Sequence, residues 1–214
     1  MAPEAQDFLR RARRMIVLLS LGLAACGGRP HSGMDVAEPA GSPAALVPPP
    51  AAGEATMVII RAPRFGGAVQ VSASVFDVTD PAREPKLIGI LYRANKVTYP
   101  VKPGRHTFMV VSEAADFLQA DVVAGKTYYA LVEPRMGAMR PRFSFRPVRA
   151  DLGSDALADW VRGSALVVNT PDSLAWAEAN ASSIASKRAM YWGEWSTKSA
   201  AGRAAQTLNA EDGR

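Results

Sequence analysis

From Thr56 to Arg149 apolar and polar residues alternate with a period of two, in short runs. Met57 to Ile60 opens the series. Val69, Val71, Ala73 and Val75 then alternate with Gln70, Ser72 and Ser74, the pattern of a half-buried strand. Residues 87–92 form a more continuously apolar strand, and Val97, Tyr99 and Val101 alternate again. Pro103-Gly104 supplies a turn, because proline presets the first central φ and glycine accepts a positive one. Strands over 107–111, 117–123 and 127–132 follow, the last two separated by the hairpin-like Ala124-Gly125-Lys126. In a final strand Phe143 and Phe145 face one side, with Arg142, Ser144 and Arg146 on the other. This spacing predicts a mainly β fold, an antiparallel β-sandwich of seven to eight strands over residues 56–149.

After Arg149 the period changes. Residues 151–162 read as a short helix carrying Leu152, Ala156, Leu157 and Trp160. Thr170-Pro171-Asp172 is a helix start: Thr as N-cap, Pro at the first helical position, an acid in the first turn. Leu174, Ala177, Ala181, Ile184, Arg188, Tyr191 and Trp195 recur at three- and four-residue steps. They predict one helix from Pro171 to about Thr197, and so a C-terminal α-helical extension over 150–198. Residues 199–214 are small and polar and read as a flexible tail.

The N-terminus carries a different signal. Arg10, Arg11, Arg13 and Arg14 precede an apolar run over residues 15–24, too short for a bilayer span, which needs about 20 residues. Leu23-Ala24-Ala25-Cys26 follows and resembles the lipobox of bacterial lipoproteins. The resemblance implies a signal peptide over 1–25, cleavage after Ala25, and acyl chains on Cys26 that anchor the protein in a membrane. One acyl chain holds only marginally, so two or three are needed for durable attachment. No aspartate follows the cysteine, which points to the outer membrane with the protein facing the periplasm. Residues 26–55 are dense in Pro, Ala, Gly and Ser and predict a lipid-anchored, disordered tether.

Charge narrows the picture less than it first suggests. The chain carries a formal +5, but residues 1–25 contribute four arginines against Glu4 and Asp7, a net +2, so +3 stays with the rest. Together with an export signal, this argues against nucleic acid as a partner. Cys26 is the only cysteine, so its lipidation would leave none for a disulfide or a thiolate metal site.

The runs Val101-Lys102-Pro103-Gly104-Arg105-His106 and Ala124-Gly125-Lys126-Thr127-Tyr128-Tyr129 carry a second resemblance. They resemble a family of bacterial lipoprotein domains of unknown function, with a V-x-P-G-x-H turn and a later A-G-K-x-Y-Y strand. More distantly the stretch is similar to PEGA-type domains and to the transthyretin-like sandwich of carboxypeptidase regulatory domains. The resemblance implies a sandwich with Gly104 and Gly125 at turns, and it brings no catalytic residues with it.

Candidate chemistry is sparse. His31 and His106 cannot form a metal cluster, and neither a nucleophile elbow nor a phosphate loop is present. No catalytic residue, metal or cofactor is therefore expected. Glu113, Asp116 and Asp121 could serve a glycan hydrolase, which uses two carboxylates, although acids beside a strand loop are ordinarily just solvated. Arg140, Arg142, Arg146 and Arg149, with Arg135 before them, stand in a stretch without acids. Guanidinium groups suit the carboxylates and phosphates of peptidoglycan and lipopolysaccharide, but charge on an edge strand also discourages aggregation. Trp176, Trp192 and Trp195 are more tryptophan than one helix face needs and mark a possible protein-facing surface. The expectation is a non-enzymatic binding or scaffolding module for an envelope protein or an anionic envelope polymer. A cell-wall or glycan hydrolase using rim carboxylates, or a passive spacer, are the alternatives.

Overall fold

Strands with one apolar face must bury it, and here two sheets bury theirs against each other. The computed structural model describes residues 34–36, 47–63, 71–135 and 142–214. Its strands in chain order are β1 Met34–Val36, β2 Ala55–Arg61, β3 Ala73–Asp77, β4 Lys86–Leu91, β5 Asn95–Val101 and β6 Gly104–Val111. Then come β7 Ala115–Val122, β8 Thr127–Arg135, β9 Arg142–Pro147, β10 Ala165–Asn169 and β11 Thr207–Leu208. The helices are α1 Ser154–Arg162, α2 Pro171–Ala179, α3 Ala181–Ser196 and α4 Ala200–Ala204, with a 3-10 turn at Ala210–Asp212. One sheet runs β10-β5-β2-β8-β9, extended at the β10 edge by β1. The other runs β11-β7-β6-β3-β4.

The inner faces meet in one cluster, with Met57, Ile59, Tyr128, Ala130, Phe143 and Phe145 from the first sheet against Val75, Phe108, Val110, Leu118 and Ala120 from the second. Both outer faces are covered as well. Val58, Ile60 and Leu131 lie against Leu157 and Trp160 of α1. Phe76, Ile90, Met109 and Phe117 lie against Ile184, Tyr191 and Trp195 of α3 and Trp176 of α2. The result is four layers, helix, sheet, sheet, helix, which is why β2 is buried along its whole length.

The β-sandwich stands, but it departs from the expected design in several ways. The sheets are mixed, since β2 pairs in parallel with β8, β10 with β5, and β11 with β7. The turns at Pro103-Gly104 and Ala124-Gly125-Lys126 are not hairpins. Each carries the chain from one sheet to the other, because β5 and β8 lie in the first sheet and β6 and β7 in the second. Turn chemistry is the same in both cases: Gly125 has φ +78°, open to glycine but strained for other residues.

The tether is not wholly unstructured, since residues 34–36 pair antiparallel with β10. Val47 packs beside the α1 cluster, and Glu54 pairs with Lys102 at 2.8 Å. Residues 1–33 and 37–46, Cys26 among them, lie outside the described residues. Inside the expected helical extension, β10 intervenes and places Val167 in the sandwich core. The expected single long helix is two. Thr170 caps α2 as predicted, accepting the Ser173 N–H at 3.3 Å. Asn180 then ends it, its side chain donating to the Trp176 carbonyl at 2.8 Å, the local competition with the helix for which asparagine is known. Leu174, in α2 ahead of this break, does not share the buried stripe of α3 and is exposed.

Residues 199–214 are no loose tail. β11 joins the edge of β7, and the backbones of Thr127 and Arg214 exchange hydrogen bonds at 2.8 and 3.0 Å. Gly213 packs so closely on Tyr128 that a Cβ there would stand 2.5 Å from its ring. Buried Asp212 accepts from Arg149 at 3.1 Å and from the N–H groups of Ala150 and Asn209. The segment is polar because it satisfies buried partners.

Two cations are buried among carbonyls. Lys96 donates to the carbonyls of Val161 and Ser164, where α1 ends, and burial pulls its pKa below the ordinary lysine value. Arg61 donates to the carbonyls of Leu91 and Val71 and lies 4.5 Å over the Phe143 ring. Burial, then Arg93, pulls its pKa down to about 10.

Replacing Asp212 by Ala should lower the unfolding free energy by about 3 kcal/mol, since it leaves Arg149 and two N–H groups without their acceptor. A urea titration checks this, and an unchanged midpoint would mean that the segment is frayed after all. A second expectation concerns pH. The Tyr99 hydroxyl donates to Asp77 at 3.0 Å, and burial followed by Asp77 raises its pKa above the ordinary tyrosine value. A raised pKa in the fold stabilises fully below the unfolded value, about 10, and is lost as the pH climbs toward the folded one. The stability difference between wild type and Tyr99→Phe should therefore be constant from neutral pH to about 10 and shrink above it.

Candidate functional site

Where the two sheets meet at one side of the sandwich, β9 is an edge strand, and β7 borders it. Asp116 on β7 bridges them. Its Oδ2 accepts the Phe145 N–H at 3.1 Å and the Gln206 side-chain amide at 2.5 Å, while Oδ1 accepts Lys198 Nζ at 3.3 Å. Gln206 Oε1 in turn accepts Trp195 Nε1 at 3.0 Å and Lys198 at 2.5 Å. One carboxylate thus ties the sheet edge, the end of α3 and the C-terminal segment together.

Above this network opens a cleft of about 430 Å³. Its floor is Asp116, Phe143 and Ser144, one wall is Arg135 and Arg142, and the other is Tyr191, Glu194, Trp195 and Lys198. Arg135 and Arg142 are partners in the β8–β9 register, so both project from the same face of adjacent strands. Like charges placed directly opposite are unfavourable in a sheet. Neither arginine has an ion-pair partner among the described residues. Two other arginines nearby differ: Arg146 pairs with Glu133 at 2.7 Å and lies 5.2 Å over Trp160, and Arg149 clamps Asp212 and the carbonyls of Thr207 and Ala204.

The expected arginine patch is therefore divided. Arg142 reaches the cleft, half-buried Arg146 and Arg149 are engaged by acids and carbonyls of the fold, and Arg140 lies outside the described residues. Arg135 takes their place. The tryptophans are divided too. Trp195 is 3 % exposed, and Trp176 is half-buried against the outer face of the second sheet. Only Trp192 is open, stacked on Trp195 with centroids 5.1 Å apart and edge-on to Phe117. It lines a second, more apolar cleft on the other flank of α3, with Val78, Pro81 and Ala189.

The three acids suggested for glycan cleavage do not converge. Asp116 and Asp121 stand five residues apart on β7, on opposite faces and about 17 Å from one another. Asp121 is held by a two-pronged bridge from Arg105 at 2.9 and 3.1 Å, which keeps its pKa below the ordinary carboxylate value. Exposed Glu113 sits outside β6 and β7. His106 is structural, stacked on Phe108, with Nε2–H donating to the Lys102 carbonyl at 2.7 Å. Among the described residues no three His, Cys, Asp or Glu side chains gather as a metal set. No helix there is long and apolar enough to cross a membrane.

Sequence reasoning missed Glu194, Tyr191 and Lys198 as neighbours of the arginines. Their link runs through Asp116 and Gln206, 90 residues apart in the chain, and no local pattern signals it. Comparison with the models of known protein families finds none that matches, and comparison with curated proteins finds no match either.

Asp116→Ala should cost about 3 kcal/mol of stability, because it strips the Phe145 N–H, Gln206 and Lys198 of their acceptor in one step. Denaturant unfolding followed by tryptophan fluorescence measures it; a fully stable variant would show that Asp116 does not hold the sheet edge.

Proposed function

We propose that this chain is a lipid-anchored protein of the bacterial cell envelope and that its sandwich is a non-enzymatic binding module. Cleavage after Ala25 and acylation of Cys26 hold it at the outer membrane, facing the periplasm, as the lipobox-like Leu23-Ala24-Ala25-Cys26 suggests. The binding site is the cleft between β8–β9 and α3, and its ligand is an anionic envelope polymer. One observation carries this reading: Arg135 and Arg142 are direct partners across two strands at the cleft, and neither has an ion-pair partner among the described residues. A guanidinium pair of this kind suits a carboxylate or phosphate, which each fork can grip with two parallel N–H bonds.

Binding is favoured over bond cleavage because Asp116, the one suggested catalytic acid that lines the cleft, is already engaged by three donors. A general acid or base has to keep its oxygens for substrate. An envelope protein as partner is the second reading, and the half-open Trp192 on the far flank of α3 is what favours it.

Full-length protein in detergent micelles should sediment with purified peptidoglycan sacculi or be captured by immobilised lipopolysaccharide. Binding should weaken as salt rises, since exposed charges are screened. The Arg135→Ala/Arg142→Ala variant should lose at least about tenfold in affinity, the equivalent of one charge-assisted contact. Retention of both polymers by the variant at wild-type affinity would remove this site from the proposal.

A further inference from the structure

The cleft is not simply positive. Glu194 stands on its α3 wall, one helical turn beyond Tyr191, and its carboxylate has no hydrogen-bond or ion-pair partner among the described residues. It also lies in the last turn of α3, which carries no basic residue. There the helix carbonyls point outward and the helix dipole disfavours negative charge. Lys198, the nearest cation in sequence, turns away to Asp116 and Gln206. Two locally unfavourable placements therefore line one cleft: a like-charge arginine pair and an acid at a helix C-terminus with no ion-pair partner among the described residues. Placements that break a local rule without a compensating partner in the chain are the mark of a functional site.

We infer that the cleft takes a mixed-charge peptide with two carboxylates and one ammonium, the carboxylates on Arg135 and Arg142 and the ammonium on Glu194. The inference rests on reading the cleft as the ligand site and narrows its ligand. The cleft charges without an ion-pair partner among the described residues, two positive and one negative, are complemented by such a ligand term by term. Its ammonium would also meet the α3 carbonyl end, which favours cations. A polyphosphate head would gain the arginines but meet Glu194 as a repulsion. The Tyr191 hydroxyl, on the same wall, can serve a peptide carbonyl or amide. Among envelope polymers, short peptides with free carboxylates and a side-chain amine are the chemistry of peptidoglycan stems rather than of lipopolysaccharide.

The test uses full-length protein in detergent micelles and two probes, N-acetyl-γ-glutamyl-lysine and the same dipeptide acetylated on its side-chain amine. The first has two carboxylates and one ammonium; the second lacks the ammonium. Calorimetry should show wild type binding the free-amine probe about tenfold more tightly than the acetylated one. Glu194→Gln should erase that ratio while leaving the acetylated probe's affinity in place. Arg135→Ala/Arg142→Ala should lose both probes. Equal affinities for the two probes in wild type, tighter binding of the free-amine probe by Glu194→Gln, or no binding of either would overturn the mixed-charge assignment. Those results leave the anion-binding reading standing if sacculi or lipopolysaccharide are still held through the arginines. Only arginine-independent capture sinks both.

Discussion

The structure turns on one carboxylate. A sandwich whose outer faces are both covered by helices still has open sides, and at one of them β9 has no further strand beside it among the described residues. Asp116 supplies the acceptor that a further strand would have given to Phe145. With its remaining lone pairs it collects Gln206 and Lys198. The edge is closed by side chains rather than by another strand, and that choice leaves room for a cleft where a strand would have lain. A protected edge and an accessible pocket are therefore the same feature seen from two sides.

The four-layer packing explains where a ligand can and cannot go. Inner faces are filled by aromatic and branched side chains, and outer faces lie under α1 and under α2 with α3. Polar groups that do enter these layers, Lys96 and Arg61 among them, find carbonyls rather than acids. A cation satisfied by backbone oxygens fixes how a helix end or a loop meets the sheet. Arg135 and Arg142, without an ion-pair partner among the described residues, stand where the β8–β9 edge and α3 leave a cleft.

Much of the fold was legible in the chain because each strand from β2 to β9 has a local pattern of its own. Phe143 and Phe145 point inward and Arg142 and Arg146 outward, as alternation requires. Thr170 caps α2 for the reason its neighbours suggest. What could not be read depends on partners distant in sequence. Pro103-Gly104 makes an equally good turn within a sheet or between sheets, so only tertiary packing decides which. β10 is too short, and too close to helical segments, to stand out. Thr207 and Leu208 become a strand only because β7 offers an edge. The cleft lay beyond reach for the same reason: alternation identified Arg142, but nothing local to it points to Glu194.

Asp116 waits for Gln206, Thr127 for Arg214, Arg149 for Asp212, and Tyr128 for Ala210. Each of these contacts spans more than 60 residues, and the parallel pairing of β2 with β8 spans about as many. Contacts this far apart close large loops before they return any stabilisation, which slows folding. Until residues 206–214 arrive, Asp116 lacks its Gln206 donor, the edge of β7 lacks β11, and Arg149 lacks its counter-charge. During that interval the nascent domain has a sticky side, and a chain emerging segment by segment from the ribosome passes through it on every synthesis.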